Sequence, residues 1–132
     1  MTNQVADHRA AFGAITEVLQ LYFDGLYHSD TTRLARVFHP RALYACASDG
    51  KLLHLDMQDY FPIVDKRPSP ASRGEPRRDR ILSVELAGPV TAFARVECAI
   101  GPKFFTDLLT LIHLDGRWQI ISKVFHFDLL NS

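Results

Sequence analysis

The sequence predicts an α+β domain in which a curved antiparallel sheet wraps a set of N-terminal helices. Three observations carry that reading. Helical hydrophobic periodicity is confined to the segment before Arg67. Four strand-like runs then follow one another from Asp79 to Phe127, with only turn residues between them. The last two runs read as a hairpin closed by Asp115-Gly116, the signal of a type I′ turn.

The elements follow in order. Phe12, Ile15, Leu19, Tyr22, Phe23 and Leu26 recur at three- and four-residue spacing, with Glu17, Gln20 and Asp24 off the stripe, so Asp7 to Tyr27 reads as an amphipathic helix. Asp30 or Ser29 can cap a second helix, Thr31 to Val37, which Pro40 stops. Leu43 to Ser48 reads as a short strand, Asp49-Gly50 as a tight turn and Lys51 to Leu55 as the partner strand. Asp56 can cap a third helix towards Lys66, shortened or kinked at Pro62, which lacks the N–H that would bond back to residue 58. Arg67 to Arg78 (RPSPASRGEPRR) has no apolar periodicity and is a long loop, whose arginines make either a solvated, mobile stretch or a lid or anion-binding element. The strands Asp79 to Ala87, Val90 to Ile100, Phe104 to Leu114 and Arg117 to Phe127 complete the chain.

The hairpin carries the candidate chemistry. A two-residue turn pairs Leu114 with Arg117, and a regular ladder from there sets His113 opposite Trp118, Leu111 opposite Ile120, Leu109 opposite Ser122, Asp107 opposite Val124 and Phe105 opposite His126. That face is apolar except for Asp107 and His126. Buried polar groups are costly unless paired or used, so Asp107 and His126 are the candidate catalytic pair, an aspartate fixing the tautomer of an imidazole base. On the strand from Asp79, the alternation Arg80, Leu82, Val84, Leu86 brings Arg80 to the same face, where it would neutralise Asp107 or grip an anion. The same three side chains also fit a satisfied buried polar network or a non-catalytic ligand contact. Tyr22, Tyr44 and Tyr60, with Trp118, are candidate ligand-binding residues, set against the plainer reading of half-buried core aromatics and, for Trp118 with His113, a cap on the hairpin end. The opposite face of the hairpin leaves Leu108, Ile112, Ile121 and Phe125 to be covered, which predicts a homodimer through the outer sheet face.

Composition bounds the rest. A chain of 132 residues is one domain, with its core from about residue 7 to residue 128; 47% hydrophobic and 23% charged residues are ordinary globular values. Fifteen basic and fifteen acidic residues cancel, so nothing marks a nucleic-acid or anionic-membrane partner. No leader or apolar span is visible, and a cytoplasmic location is expected. Cys46 and Cys98 lie in apolar runs without a Cys-x-x-Cys spacing and are expected as buried free thiols. The scattered histidines suggest no metal, and no glycine-rich phosphate loop or other cofactor motif is present, so none is expected.

The order of elements, YFDGLYHSD in the first helix, FHPRA after the second, the RPSPASRGEP loop and the ending FTDLLTLIHLDGRWQIISKVFHF resemble the NTF2-like superfamily. Within it the chain resembles the putative lumazine-binding group, neighbour to the SnoaL-like cyclases and ketosteroid isomerases, over roughly Phe12 to Phe127. The resemblance implies an NTF2-like cone: three N-terminal helices packed on a strongly curved antiparallel sheet, with an internal pocket, usually as a homodimer. It matches Tyr22 to the isomerase tyrosine donor and Asp107 to an acid on the sheet. The strand Leu43 to Ser48 departs from the isomerase pattern, offering Tyr44 and Cys46 where the base belongs. Asp107 and His126 are the counterpart of the cyclases' His/Asp arrangement. Three functions remain open at this level: a binder of a small, largely apolar or aromatic metabolite, a cofactor-free acid–base enzyme, and a dimeric interaction module.

Overall fold

The computed structural model describes residues 4–130. Three helices lead: α1 (Gln4–Tyr27), α2 (Thr31–Val37) and, after two strands, α3 (Met57–Lys66). The strands are β1 (Phe38–Cys46), β2 (Leu53–Asp56), β3 (Asp79–Leu86), β4 (Thr91–Ile100), β5 (Lys103–Leu114) and β6 (Arg117–Leu129). They form one sheet in the order β2-β1-β6-β5-β4-β3, antiparallel at every junction except β1 with β6, which is parallel. The expected α+β architecture is therefore observed, with that single parallel seam added.

Local signals act as their chemistry requires. Asp30 caps α2 by accepting the N–H groups of Thr32 (3.0 Å) and Arg33 (3.2 Å), and Asp56 caps α3 through Asp59 N–H at 2.9 Å. Gly25 is required where α1 meets α2: a Cβ there would lie 2.6 Å from Leu34 Cδ2. Asp115 and Gly116 both have positive φ (54° and 79°), as a type I′ turn demands. α3 reaches Lys66 as expected and runs through the exposed Pro62 without ending there. β1 begins directly after α2 and contains Pro40, in a stretch where its register with β6 is interrupted, so the missing N–H removes no ladder bond.

The loop after α3 is anchored along much of its length. It contains a short 3₁₀ turn, Ala71–Arg73. Tyr27 donates its hydroxyl to Glu75 O (2.6 Å), Glu75 Oε1 accepts the Gly101 N–H (2.9 Å), and Arg77 bridges Asp24 and Asp79 at 2.6 Å each while lying over the Tyr27 ring.

The core lies between the helices and the concave face of the sheet. Ile15, Leu19, Phe23 and Leu26 of α1 meet Leu34, Val37, Leu109, Leu111 and Ile120, all essentially inaccessible to solvent. At about 1.5–3 kcal/mol per large side chain buried, this cluster is the main stabilising term. Cys46 and Cys98 are buried and free.

Two β-bulges bend the sheet and set which side chains face inward. In the β5–β6 ladder, pairing runs regularly from Leu114 opposite Arg117 to Leu111 opposite Ile120, then resumes with Thr110 opposite Ser122; Ile121 is the extra residue. Beyond it Leu109 faces Lys123, Asp107 faces Phe125, Thr106 faces His126 and Phe105 faces Phe127. In the β3–β4 ladder Ile81 pairs with Val96 and Ser83 with Arg95, leaving Leu82 extra. Each extra residue inverts the expected facing of the strand beyond it.

Candidate functional site

Asp107 stands at the centre of β5 with its side chain pointing into the cone, 0% exposed. Tyr22, one of the inward residues of α1, donates its hydroxyl to Asp107 Oδ2 at 2.6 Å. Lys123 enters from β6 diagonally across the ladder, its ammonium 3.9 Å from the same oxygen and its side chain only 5% exposed. That ammonium is boxed by aromatic rings, with the centroids of Tyr22, Tyr44, Tyr60 and Phe125 between 5.2 and 5.5 Å away. Each ring face of a desolvated box of this kind contributes about 0.5–2 kcal/mol, which offsets part of the cost of burying the cation. Tyr44 stacks on Tyr60 with centroids 4.4 Å apart, giving one flat wall.

Electrostatics follow from this packing. Burial pulls the Lys123 ammonium down, but Asp107 and the surrounding groups prevail and hold its pKa above the ordinary value, so it stays protonated. Burial, and after it the Asp107 carboxylate, raise Tyr22 well above its usual range and fix it as a phenol donor. Burial pushes Tyr44 up to about 12, against the opposing pull of Lys123. Burial and Asp107 likewise raise the Cys98 thiol, which leaves it unreactive as a nucleophile.

Several buried polar atoms around this cluster have no partner: Asp107 Oδ1, the Tyr60 hydroxyl, and Arg67 Nε and Nη2. Tyr60, Arg67 and Lys123 line one small cavity together with Leu26, Tyr44, Cys98, Ile100 and Phe105. Its free volume is about 10 Å³, enough for a single water. A much larger depression lies elsewhere. It is an open groove of about 940 Å³ between α1 and the tips of the β3–β4 and β5–β6 hairpins, and none of those unpartnered buried atoms belongs to its lining residues.

The structure brings together Tyr22, Tyr44, Tyr60 and Asp107 among the residues singled out from sequence, and separates the others. His126 does not face Asp107. The bulge at Ile121 turns it outward, where its side chain is 60% exposed, its Nδ1 lies 2.9 Å from Ser48 Oγ and its Nε2 lies 2.9 Å from Asp128 Oδ1. Ser48 Oγ also accepts the Phe127 N–H at 3.1 Å, so this trio pins the β1–β2 turn to the last strand. Arg80 is likewise outside, 71% exposed and 3.6 Å from Glu97, because the bulge at Leu82 inverts the start of β3. Trp118 is buried at the far end of the hairpin, edge-on to His113, and borders the open groove instead of the cavity. Phe125 faces the interior, and Val124, 49% exposed, takes its place on the outer sheet face.

Lys123 was not foreseen from the sequence, and Arg67 was covered only by the alternative that the arginines of its loop bind an anion. A signal for Lys123 was present: the apolar phase of the last strand changes from Trp118 and Ile120 to Phe125 and Phe127, an odd offset that requires one extra residue and carries Lys123 inward. Arg67 follows α3 directly, and no pattern distinguished it from the other arginines of its loop.

Among the described residues no cluster of three His, Cys, Asp or Glu side chains could hold a metal ion, and no helix is long and apolar enough to cross a membrane.

Comparison with known proteins places this arrangement among relatives. The model of the family described as putative lumazine-binding matches residues 10–126. An aldolase, FrzH, from a Cladobotryum species is 26% identical over 117 residues, covering 87% of this chain and 90% of that protein. An NTF2-like protein of unknown function from Shewanella baltica superposes with a TM-score of 0.81 at 27% identity, covering 97% of this chain and 98% of the other. Another of unknown function, from Methylobacillus flagellatus, gives 0.77 at 28% identity over 90% and 93% of the two chains.

Proposed function

The chain belongs to the putative lumazine-binding family of the NTF2-like superfamily, and from that premise we propose that it binds a small organic molecule inside the cone, between the Tyr44–Tyr60 wall and the Asp107–Lys123 floor. One observation carries the reading: buried polar atoms of Tyr60 and Arg67 lack partners around one cavity, and Asp107 Oδ1 lacks one beside Lys123, which lines the same cavity. Leaving such a group unpaired costs about 1–3 kcal/mol, and a ligand with matching polar atoms recovers that cost on binding. The aromatic walls favour a flat molecule, while the charged floor requires a polar end, which narrows the largely apolar ligand expected from sequence. Native mass spectrometry of protein purified from its own host, compared with a denatured extract, tests the proposal. A discrete mass released by denaturation is the expected result; empty protein from every growth condition would count against it.

A second reading, a cofactor-free enzyme acting at a carbonyl, is favoured by the similarity to an aldolase and by the protonated Lys123 beside an ionisable acid. In that reading the Lys123 ammonium stabilises a developing enolate and Asp107 accepts or returns the proton. Because Lys123 holds its proton, an imine mechanism is disfavoured. Deuterium exchange at the carbon next to a carbonyl, followed by NMR in heavy water over a panel of ketones and aldehydes, distinguishes turnover from mere binding. Exchange lost in Lys123→Met supports the enzyme; no exchange with any compound leaves the binder.

For assembly we propose a homodimer through the outer sheet face. Leu108, Ile112 and Ile121 are joined there by the exposed Val124 and Phe93, and the zero net charge lessens self-repulsion. Val124→Glu should shift the mass measured by light scattering from dimer to monomer. A cytoplasmic location fits the two free thiols and is checked by cell fractionation.

A further inference from the structure

We infer that the interior cavity is built for the carboxylate of a small, flat organic acid, received by the side edge of Arg67. The inference rests on the small-molecule reading above and names the chemical class of its ligand.

Arg67 is fixed at the end of α3, its backbone N–H bonded to Val64 O at 3.3 Å. Its side chain lines the cavity, and the two guanidinium nitrogens that are buried without partners are Nε and Nη2. Those two carry the parallel N–H bonds of one edge of the guanidinium plane, the edge that meets both oxygens of a carboxylate at once. A single carbonyl or hydroxyl oxygen would leave the fork half used.

Charge leads to the same class. Among the residues lining the cavity Arg67 and Lys123 are cationic and none is a carboxylate; Asp107, 3.9 Å from the Lys123 ammonium, balances one of the two charges. Asp107 Oδ2 already serves Tyr22 and Lys123, and Arg67 Nε and Nη2 have no partner among the described residues. A monoanion brings the cluster to neutrality, whereas a neutral ligand leaves the buried Nε and Nη2 edge of the half-buried Arg67 without a counter-charge. The Tyr60 hydroxyl, also unpartnered, lines the same cavity, and its ring forms the flat wall with Tyr44. The ligand therefore has an aromatic or planar body and an anionic end. The free volume of about 10 Å³ means that entry parts the half-buried side chains of Arg67, Ile100 and Phe105.

The test is calorimetric titration of benzoate and of benzamide, its neutral counterpart of similar shape, into wild type, Arg67→Met and Arg67→Lys, each checked for an unchanged circular dichroism spectrum. Benzoate is expected to bind wild type at least about tenfold more tightly than benzamide. Loss of a charge-assisted pair in Arg67→Met should weaken benzoate by about ten- to a hundredfold and leave benzamide unchanged. Arg67→Lys keeps the charge but not the fork, and should recover only part of the loss. Equal benzoate affinity in wild type and Arg67→Met overturns the inference, as does no binding of benzoate at all. Benzamide binding as tightly as benzoate also overturns it, but leaves the small-molecule reading standing. Should Arg67→Met fail to fold, the benzoate-to-benzamide ratio in wild type and in Arg67→Lys decides the matter.

Discussion

Two polar trios sit on opposite faces of the last strand, only three residues apart in sequence. Inside, Tyr22, Asp107 and Lys123 are packed away from water, and one carboxylate oxygen of Asp107 has no partner. Outside, Ser48, His126 and Asp128 form a chain of hydrogen bonds, each link 2.9 Å, in which His126 is 60% and Asp128 72% exposed. Both trios contain an acid, a base and a hydroxyl, so composition does not separate them. Solvent does. The outer trio can exchange each of its bonds for water at little cost, while the inner one can exchange none, and only the inner one leaves polar atoms available to a ligand.

The sharpest way to break the comparison is to remove one inner charge. Asp107→Ala would leave Lys123 buried without its counterion and should cost about 3–5 kcal/mol, read as a lower urea midpoint at unchanged slope. The double variant Asp107→Leu/Lys123→Met should recover most of that loss; if it is no more stable than Asp107→Ala, the ion pair is not what holds this region. Tyr22→Phe removes a hydrogen bond to a buried carboxylate and should cost about 1.5–3 kcal/mol in the same assay.

Alkaline titration sharpens the contrast further. The folded state holds the protons of Lys123 and Tyr22 above their ordinary values, whereas the unfolded chain releases them near pH 10 to 10.4, so the unfolded state binds fewer protons above that point. Their stabilisation is complete below about pH 10 and is lost as pH rises further. Stability measured from about pH 9 to 11.5 should therefore fall in wild type and fall less steeply in Lys123→Met. An equal slope in both would remove Lys123 from the account. The outer trio gives the smallest effect: His126→Ala should change stability by no more than about 0.5 kcal/mol, and a larger loss would mean that the exposed bonds matter structurally.

Much of the fold was legible before the structure because its signals are local. Asp30 and Asp56 cap helices, Asp115-Gly116 closes a hairpin, and the stripe from Phe12 to Leu26 marks α1. Asp107 was legible as a polar residue on an apolar face, and Tyr22 by its place in the helical stripe. His126 and Arg80 were misplaced for one shared reason. A strand's facing is a parity, and a single extra residue, Ile121 in β6 or Leu82 in β3, reverses it for everything beyond. No residue type obliges a bulge, so propensity does not announce one. The trace that does exist is a change in the phase of the apolar residues along the strand, from Ile120 to Phe125 and from Ile81 to Val84. Arg67 left no such trace, because its significance comes from the cavity it meets and not from its neighbours in the chain.

The inner trio's claim to be the ligand-facing site is tested most directly by native mass spectrometry of wild type, Lys123→Met and His126→Ala purified side by side from the native host. His126→Ala is expected to carry the same co-purifying mass as wild type, and Lys123→Met to have lost it. Loss of that mass in His126→Ala, with retention in Lys123→Met, would contradict the account and move the functional site to the outer face of the sheet.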